Sequence, residues 1–466
     1  MMIINHLHFL KSITLEISLV AISCFAQGQT ILPAEFNSNT VLTKNDSPYL
    51  IQGTTTIEVG AVLQLDAGVV IEFASNASIT VKGKLIAQGT AEDSVYFIAQ
   101  GVSPWQRINA TSANIDLQYC SIRGSKMLLL ASGGNNITIM HCTIESRATG
   151  SGEDCIAVHD AKKVYIAFIK LTGMGGTIAE GSKNDAIDLD HVDSCFVLNS
   201  IISNFSDDGV DIGTSSKYAL ISNNLISHCN YGVTVGETST AFINNNIITQ
   251  CDAGFQVHNG ATINCNYNTL YFNRWGIECY HSEEGNTQTG GTAHVQNTIF
   301  SATIETEILT QTSSVVTISY SVSDRETLPG NHNLFGDPLL TDPGNGYFTL
   351  QSNSPCINKG SPDGEGNRTT MGAVQNGNPV SMADSRKREL EFYVYPNPTV
   401  DFVWIEPSQD SSARFLKLYN NQGNLLISRI IMQNRDLIDL RLYPAGFYYL
   451  LLSSGQTSGN LIIIKK

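Results

Sequence analysis

Charged residues are scarce in this sequence, and basic ones are scarcest. Of the 466 residues 15% are charged, with 27 lysines and arginines against 42 aspartates and glutamates. The formal net charge of −15 repels phosphate backbones and anionic lipid headgroups. Nucleic acid and membrane surfaces are therefore excluded as expected partners, and cations or neutral polymers fit better.

Long apolar runs and the common nucleotide or metal motifs are also missing. After residue 26, no stretch approaches the roughly 18 consecutive apolar residues of a membrane-spanning helix. The sequence contains no CxxC pair, P-loop, nucleophile elbow or dinucleotide fingerprint. We therefore expect no transmembrane segment in the mature chain and no nucleotide-dependent chemistry.

Residues 1–26 have the pattern of an export signal peptide. A weakly basic segment from His6 to Lys11 precedes a mostly apolar one, and the small residues Cys24 and Ala26 fit cleavage before Gln27. We expect the mature chain to enter the periplasm.

A repeat is the strongest pattern that is present. Its fixed step in the twenties indicates stacked copies of one small unit. The units alternate apolar and polar residues and end in Asn/Gly turns, with no helical period. We predict an all-β chain, a right-handed parallel β-helix solenoid followed by a small C-terminal β-sandwich. Six five-residue segments align without gaps, and their anchors are Asp154, Asp185, Asp208, Tyr231, Ala253 and Trp275.

Two further sets of residues repeat with the same step. Asn224, Asn246 and Asn268 form a second ladder, which we interpret as stacked amides that bond along the solenoid. Cys229 and Cys251 are spaced in the same way, as are two earlier cysteines. Buried thiols are the expected state, with vertical disulfides as the alternative.

The repeats set the domain boundaries. Residues 27–374 are expected to form the β-helix with its capping segments, interrupted by insertions at 173–183 and 282–291. Residues 333–374 lose the period and contain four prolines, so we expect them to close the open end of the stack. A polar linker, 375–391, then leads to the last module.

The last module, residues 392–466, resembles the type A C-terminal sorting domain of the type IX secretion system. The motifs are Tyr395-Pro-Asn-Pro-Thr, Tyr419-Asn-Asn-Gln-Gly-Asn-Leu-Leu, Leu442-Tyr-Pro-Ala-Gly-Phe-Tyr-Tyr-Leu and the terminal Lys465-Lys466. The resemblance implies that the type IX machinery carries the protein across the outer membrane. It also implies removal of the module and a secreted or cell-surface location.

The body resembles the pectin-lyase-like surface β-helix proteins of bacteria that have a type IX secretion system. The opening Ile57-Glu-Val-Gly and the closing Phe335-Gly-Asp-Pro-Leu-Leu are typical of that group. This resemblance implies a fold rather than an activity, because function depends on a site.

Carboxylates crowd three consecutive coils. They occur at Glu153-Asp154, at Asp185 with Asp188 and Asp190, and at Asp207-Asp208 with Asp211. Adjacent coils lie about 4.8 Å apart, so like charges there raise each other's pKa. A metal, a shared proton or a cation has to offset the repulsion. One interpretation is a Ca²⁺ site of hard oxygen ligands at Asp185, Asp188, Asp208 and Asp211.

The same coils resemble the catalytic coils of polygalacturonase-type glycoside hydrolases. Asn184-Asp185-Ala-Ile-Asp188 and Ser206-Asp207-Asp208-Gly carry the resemblance. It implies that Asp185, Asp207 and Asp208 are catalytic, one as general acid and the others activating water for an inverting attack.

The basic residues that this family uses to hold a uronate are replaced here. Tyr231 stands at the histidine place, and Gln256 and His258 stand at the arginine and lysine places. A typical polygalacturonase is therefore not expected. Tyr231, Gln256, His258 and Trp275 remain candidate substrate-binding residues, with partly buried structural aromatics as the plainer interpretation of the tyrosine and tryptophan.

Two other interpretations of the aspartates stay open. Asp side chains at strand corners bond their own backbone, which would make the cluster turn chemistry alone. A lyase would need a basic residue, and Lys183 and Arg274 are the nearest in sequence. The expected function is engagement of extracellular polysaccharide, as a glycoside hydrolase or polysaccharide lyase. The alternative is a non-catalytic surface adhesion or structural protein.

Overall fold

The computed structural model describes most of the chain after the signal peptide. Within the body, residues 29–374 are described except 135, 149, 175–182, 282–288, 312 and 363–365. Within the last module, residues 392–465 are described except 396–398, 408–413, 421–424, 432–434, 445 and 455–456. The predicted signal peptide, the linker and the middle of each insertion lie outside the described residues.

The body is a parallel β-solenoid of about 12 turns, which confirms the predicted fold class. Each full turn gives one strand to each of three parallel sheets, here called sheets 1, 2 and 3. Sheet 1 contains Thr30–Ile31, Tyr49–Ile51, Val70–Phe73, Val95–Ala99, Cys120–Ser125, Thr143–Ser146, Lys170–Thr172, Ile201–Ser203, Leu225–Ser227, Ile247–Thr249, Thr269–Tyr271, Ile299–Ser301, Val322–Ser323 and Leu334–Phe335.

Sheets 2 and 3 have twelve strands each, stacked in sequence order. Sheet 2 contains Glu35–Phe36, Thr54–Ile57, Ser78–Val81, Ile108–Thr111, Leu129–Ser132, Ile156–His159, Ile187–Asp190, Asp208–Ile212, Tyr231–Val235, Ala253–His258, Trp275–Tyr280 and Thr306–Thr310. Sheet 3 contains Thr40–Leu42, Val62–Leu65, Lys84–Gln88, Asn114–Gln118, Asn136–Met140, Lys163–Ala167, Ser194–Leu198, Ala219–Ser222, Thr240–Asn244, Thr262–Asn266, Thr292–Gln296 and Val315–Ser319.

Helical structure in the described residues is limited to two short 3₁₀ turns, Lys44–Asp46 and Pro343–Asn345. The search of the described residues found no helix long and apolar enough to cross a membrane.

Inward-facing aliphatic residues from the three sheets fill one continuous core. Phe73 and Trp105 stack within it, with ring centroids 4.1 Å apart. On sheet 2 an inward column is held by glycines because the turns approach closely. A Cβ on Gly232 would lie 2.7 Å from the Gly254 carbonyl oxygen and 2.3 Å from Ile248.

The corner between sheets 3 and 1 is built from the asparagine ladder, as predicted. The Nδ2 of Asn246 donates to the Ile221 carbonyl (2.8 Å), and its Oδ1 accepts from the Asn224 backbone N–H (3.0 Å). The residue before each rung, for example Asn245 with φ 58°, takes the left-handed conformation that the sharp corner needs. The described cysteines are all buried free thiols, which confirms that expectation over disulfides.

The segment after the last coil is placed differently from the prediction. Leu328 enters the core at the end of the stack, and Arg325 donates to the carbonyls of Thr303 and Glu305. Residues 324–331 therefore cover the end, and Leu334–Phe335 adds the last strand of sheet 1, so only the first residues of the predicted capping segment 333–374 lie there.

Residues 336–374, here called the flap, cover the outer face of sheet 1 instead. The flap contains an antiparallel hairpin of Leu340–Asp342 and Tyr347–Leu350. Phe348, Met371 and Val374 pack on outward residues of the last turns, among them Ile247 and Ile299. The outer side of sheet 1 is apolar along these turns, and this apolar surface is the reason that the segment lies there.

The C-terminal module consists of two antiparallel sheets. One contains Phe392–Tyr395, Phe402–Pro407 and Asp436–Asp439; the other contains Leu425–Ile431, Arg414–Asn420, Gly446–Ser454 and Thr457–Lys465. Val403 of the first sheet and Leu418 of the second belong to the same apolar core. Two sheets around one core agree with the predicted small β-sandwich.

Candidate carboxylate site on sheet 2

The six repeat anchors lie in one column on sheet 2, which confirms the predicted register. Asp208, Tyr231, Ala253 and Trp275 are paired in successive strands. The backbone N–H of Asp208 donates to Asp185 Oδ1 at 2.7 Å, which places Asp185 one turn earlier in the column. We call this column the anchor row.

Two further outward rows run beside the anchor row. Valine and isoleucine side chains between the rows belong to the core, so the alternate residues point outward. The far row pairs His159 with Asp190 and His258 with Tyr280. The middle row contains Asp188, Asp211, Thr234, Gln256 and Glu278.

The predicted carboxylates converge in two groups. Oxygens of Asp185, Asp207 and Asp208 lie within 4.8 Å of one another, so the three predicted catalytic residues meet. Oxygens of Asp185, Asp188 and Asp211 meet at the same distance, so three of the four predicted metal ligands share one place. Asp208, the fourth, belongs to the first group. Asp185 connects the two groups, and we call them together the aspartate cluster.

Part of the cluster bonds to backbone at the corners, although the bonds cross to the next turn and are not the predicted bonds to the aspartates' own backbone. Asp154 Oδ1 accepts the Asp185 backbone N–H at 2.8 Å, and Asp185 repeats the contact one turn later with Asp208. Asp208 breaks the pattern. It is only 6% exposed, and its Oδ1 is buried without a hydrogen-bond partner in the described structure. Turn chemistry therefore accounts for Asp154 and Asp185 but not for Asp208.

The cluster carboxyls hold their protons unusually strongly. Burial, followed by the charge of Asp154, raises the pKa of Asp185 well above its ordinary value. Burial and the neighbouring aspartates have the same effect on the pKa of Asp208 and of Asp211. Burial and the charges of Asp190 and Asp154 raise the pKa of Asp188 to about 7. Desolvation is the larger cause in every case.

Asp207 differs from its neighbours in its partners. Burial raises its pKa, but Asn230 Nδ2 donates to its Oδ1 at 3.2 Å and Lys183 is near enough to favour the charged form. For Asp185 the opposing influence is the backbone N–H of Asp208, and the charges of Asp154, Asp207 and Asp188 act against it. Asp207 is therefore the carboxylate of its group that is better supported when ionised.

Sequence reasoning missed the partnership of His159. Its Nδ1 lies 3.4 Å from Asp190 Oδ2, and Asp188 is within 4.8 Å of both. The contact with Asp190 raises the pKa of His159. For Asp190, burial is outweighed by that contact and by the Thr214 backbone N–H, so its pKa is lowered. His159 and Asp190 each stand five places after an anchor, so the repeat contained the signal.

The predicted substrate-binding residues follow the cluster along sheet 2. Gln256 Nε2 donates to Glu278 Oε2 at 2.9 Å, and the charge of Glu278 helps to raise the pKa of Tyr231 after burial. His258 lies 5.2 Å from the ring of Tyr280, and burial lowers its pKa. Glu278, which sequence reasoning did not select, is thus the acidic centre of this stretch.

Trp275 is held by its neighbours. Its Nε1 donates to Glu305 at 3.1 Å, and the Arg274 guanidinium lies 4.2 Å from its ring centroid. The same guanidinium pairs with Glu305 at 2.8 Å. One face of the indole is therefore covered, and Arg274 is engaged in a way that does not suit a lyase base.

Two family models match separate parts of the chain. Residues 174–319 match the model described as right handed beta helix region, and residues 393–466 match the secretion system C-terminal sorting domain. A search of curated proteins found no match.

Solved β-helix structures show a distant similarity. A mutant of the periplasmic alginate epimerase AlgG is 10% identical, with 62% of this chain and 76% of that chain covered and a TM-score of 0.33. The alginate lyase from Paenibacillus sp. str. FPU-7 is 15% identical, with 60% and 92% covered and a TM-score of 0.24. These values are too low to carry an argument about activity. The chain is thus a right-handed parallel β-helix protein with a type IX secretion C-terminal sorting domain.

Proposed function

We propose that this exported protein binds an extracellular polysaccharide across sheet 2 and cleaves it at the aspartate cluster. The observation that carries the proposal is the difference between Asp185 and Asp207. Both belong to one group of oxygens within 4.8 Å, but the charges that act on Asp185 are those of other aspartates, whereas Lys183 and the Asn230 amide favour the charged form of Asp207. Two carboxyls whose environments separate their protonation states are suited to acid and base roles.

The roles follow from burial. Asp185 is half-buried and protonated, so it donates a proton to the leaving oxygen. Asp207, half-buried and ionised, activates water or attacks the sugar. Asp208 is too deeply buried to serve as the acid or the base itself, but its backbone N–H donates to Asp185 Oδ1 at 2.7 Å and so holds that carboxyl in place. Asp208 is therefore a positioning residue.

The distance between the Asp185 and Asp207 carboxyl groups bears on whether cleavage inverts or retains the anomeric configuration. Sequence resemblance implies inversion, for which the two carboxyl groups usually lie about 6.5–9.5 Å apart. The oxygens of Asp185 and Asp207 lie within 4.8 Å, nearer the roughly 5 Å of retaining enzymes. The anomeric configuration of the first product, followed by NMR, separates the two courses.

Ca²⁺ binding is a second proposed use of the same residues. Asp185, Asp188 and Asp211 offer hard oxygen ligands within 4.8 Å, and their mutual repulsion needs a counter-charge. Bound there, the ion would neutralise these carboxylates and supply a Lewis acid beside the Asp207 carboxylate.

The non-catalytic alternative keeps the same surface. It is favoured by the engagement of Arg274 with Glu305 and by the covering of one face of the Trp275 indole, which leave less of that stretch available for catalysis. It predicts binding of a glycan to sheet 2 without cleavage.

The test is incubation of the mature full-length protein with neutral, amino and uronic-acid glycans, with and without chelator. We expect new reducing ends from wild type and a loss of at least about a hundredfold in rate for Asp185→Asn and Asp207→Asn. The matched control is Asp193→Asn, because Asp193 is exposed and pairs only with Lys217. Binding without cleavage by wild type would establish the adhesion alternative; no binding would refute both.

A further inference from the structure

We propose that sheet 2 selects a polysaccharide of amino sugars with free, cationic amines, and that Glu278 is a specificity-determining residue. This inference rests on the proposed function, because it concerns the ligand of the same surface. Four observations support it, and each concerns charge or hydrogen-bond donors rather than shape.

The first observation is the balance of charge along the three outward rows. Within six turns these rows and the adjoining corner carry Asp154, Asp185, Asp188, Asp190, Asp207, Asp208, Asp211 and Glu278. The described cations beside them are few and mostly committed: His159 contacts Asp190, Arg274 pairs with Glu305, and Lys183 lies near Asp207. Because the buried carboxyls of the aspartate cluster hold their protons, the negative charge that a ligand meets here comes mainly from Asp190, Asp207 and Glu278.

The second observation is the composition of the insertions. One leaves the repeat before the sheet 2 strand Ile187–Asp190, and the other leaves it after Trp275–Tyr280. The insertion at 173–183 contains Glu180 and ends in Lys183, and the insertion at 282–291 contains Glu283 and Glu284 and no lysine or arginine. Lys183 already lies near Asp207, so neither insertion adds a further lysine or arginine for a uronate carboxylate.

The third observation is the unsatisfied oxygen of Asp208. This side chain is more than nine-tenths buried, and its Oδ1 makes no hydrogen bond of normal geometry among the described residues, although the neighbouring Thr234 hydroxyl favours its charged form. An unbonded buried carboxylate oxygen is costly, and a donor from a ligand or a water in the cluster would relieve it. A protonated amine brings three donors and a positive charge, whereas a uronate brings only acceptors at its carboxylate.

The fourth observation is the position of Glu278. It stands in the middle row, three strands beyond Asp211, and among the residues that the structure describes only one of its oxygens has a partner, Gln256 Nε2 at 2.9 Å. Tyr231 and Tyr280 lie close enough for its charge to raise their pKa values after burial. A partly exposed carboxylate between tyrosines resembles the common way of holding an ammonium group, by charge and by aromatic faces.

The test compares ligands that share a backbone and differ at one group. Oligosaccharides of β-1,4-linked glucose, N-acetylglucosamine and glucosamine are titrated by calorimetry against the mature protein, together with α-1,4-linked galacturonate and galactosamine oligomers. All are measured at pH 6 with and without Ca²⁺. We expect a free-amine oligomer to bind at least about tenfold more tightly than its neutral and acetylated counterparts, and the preference to shrink at high salt.

Two variants test Glu278 itself. Glu278→Gln keeps the shape and the contact with Gln256, and it should remove most of the amine preference, so that the amine and neutral oligomers bind with similar affinity. Glu145→Gln is the control, because Glu145 is exposed on sheet 1 and pairs with Arg123. It should change neither affinity.

The outcomes separate this inference from the proposed function. Equal binding of amine and neutral oligomers, or tightest binding of the galacturonate, overturns the inference and leaves polysaccharide binding intact. An amine preference that survives Glu278→Gln overturns the role of Glu278. Binding of none of the oligomers refutes the proposed function and this inference together.

Discussion

Individual aspartates on sheet 2 have different duties although they share one type of side chain. Asp154 and Asp185 each give an oxygen to the next turn's backbone, whereas Asp208 is buried with an unbonded oxygen. Asp188 and Asp211 meet at the middle row. The repulsion within the cluster has to be relieved by an ion or by protons, and stability measurements can tell which.

If Ca²⁺ relieves it, adding a chelator should lower the melting temperature of the wild type. Replacing Asp188 and Asp211 together with Asn should abolish that sensitivity, because neutral amides lose most of the Coulomb attraction for the ion. The Asp193→Asn variant should keep the wild-type response, since Asp193 lies on the surface beside Lys217.

If shared protons relieve it, the wild type should ignore the chelator and respond to pH. The pKa of Asp188 is raised to about 7, so its contribution is fully present below about pH 4 and is lost as the pH rises through 7. Indifference to both chelator and pH between about 5 and 8 would contradict the idea that the cluster is under electrostatic strain.

Glu307 gives a second prediction that depends on pH. It is fully buried in the last turn at the place where the previous turn has Gly276, and Ser323 donates to its Oε1 at 2.7 Å. Burial raises its pKa, so its native-state benefit is complete below about pH 4.5 and is lost as the pH rises. Glu307→Gln should therefore match wild type in thermal melts at pH 4 and exceed it at pH 8.

The Glu305→Gln variant should show the opposite dependence of stability on pH. The hydrogen bond from Arg274 lowers the pKa of this exposed carboxyl, so its contribution is present at neutral pH and fades in acid. A Glu307→Gln variant that is less stable than wild type at pH 8 would contradict the assignment of a strained buried carboxyl.

The sequence was sufficient to predict which aspartates lie together, but it did not predict which residues contact them. Asp185, Asp207 and Asp208 could be placed together because the anchors repeat without gaps. His159 and Glu278 occupy the rows beside the anchors, where the repeat varies between acidic, amide and small residues. Which outward residue contacts which depends on side-chain direction, and a one-letter pattern does not contain that information.

At the scale of elements, the flap shows where pattern reading gave a wrong placement. The loss of period after Asn333 correctly marks the end of the coils. The loss of period does not indicate whether the following residues lie across the end of the β-helix or along its side. The apolar outer face of sheet 1 decides this, because Ile247 and Ile299 would otherwise face water.

The flap should contribute measurably to stability through Phe348. This side chain is 6% exposed and meets Tyr271 edge-on at 5.7 Å, so Phe348→Ala should cost about 3–5 kcal/mol. Tyr347→Ala on the same strand is the control, because Tyr347 is 61% exposed and should change little. Urea unfolding followed by hydrogen exchange in Ile247–Thr249 would locate the effect; equal losses for both variants would contradict the packing described.

At the scale of the whole molecule, the β-helix and the sorting domain are separate units with separate cores. The sorting domain indicates type IX secretion to the outer surface or the extracellular space. A change in the sorting domain can therefore alter where the protein is delivered without altering sheet 2.

Deleting residues 390–466 should leave the protein in the periplasm with its β-helix folded. Fractionation with antibodies to the body, together with circular dichroism of the trapped protein, checks both parts. The complementary control fuses residues 390–466 to a periplasmic reporter, which should then leave the cell. Normal amounts of the truncated chain outside the outer membrane would refute the sorting role.

The flap also makes the two ends of the solenoid unequal as places for duplication. It is anchored to the last turns through Asn297, whose Oδ1 accepts the Ser361 N–H, and through Thr269, whose hydroxyl accepts the Ala373 N–H. A duplicated turn within these last coils would move one anchor away from the other. A duplication before residue 120 would lengthen the rod without disturbing either the flap or the carboxylates. Lineages of such proteins can therefore grow in length at the N-terminal half while the C-terminal half keeps its geometry.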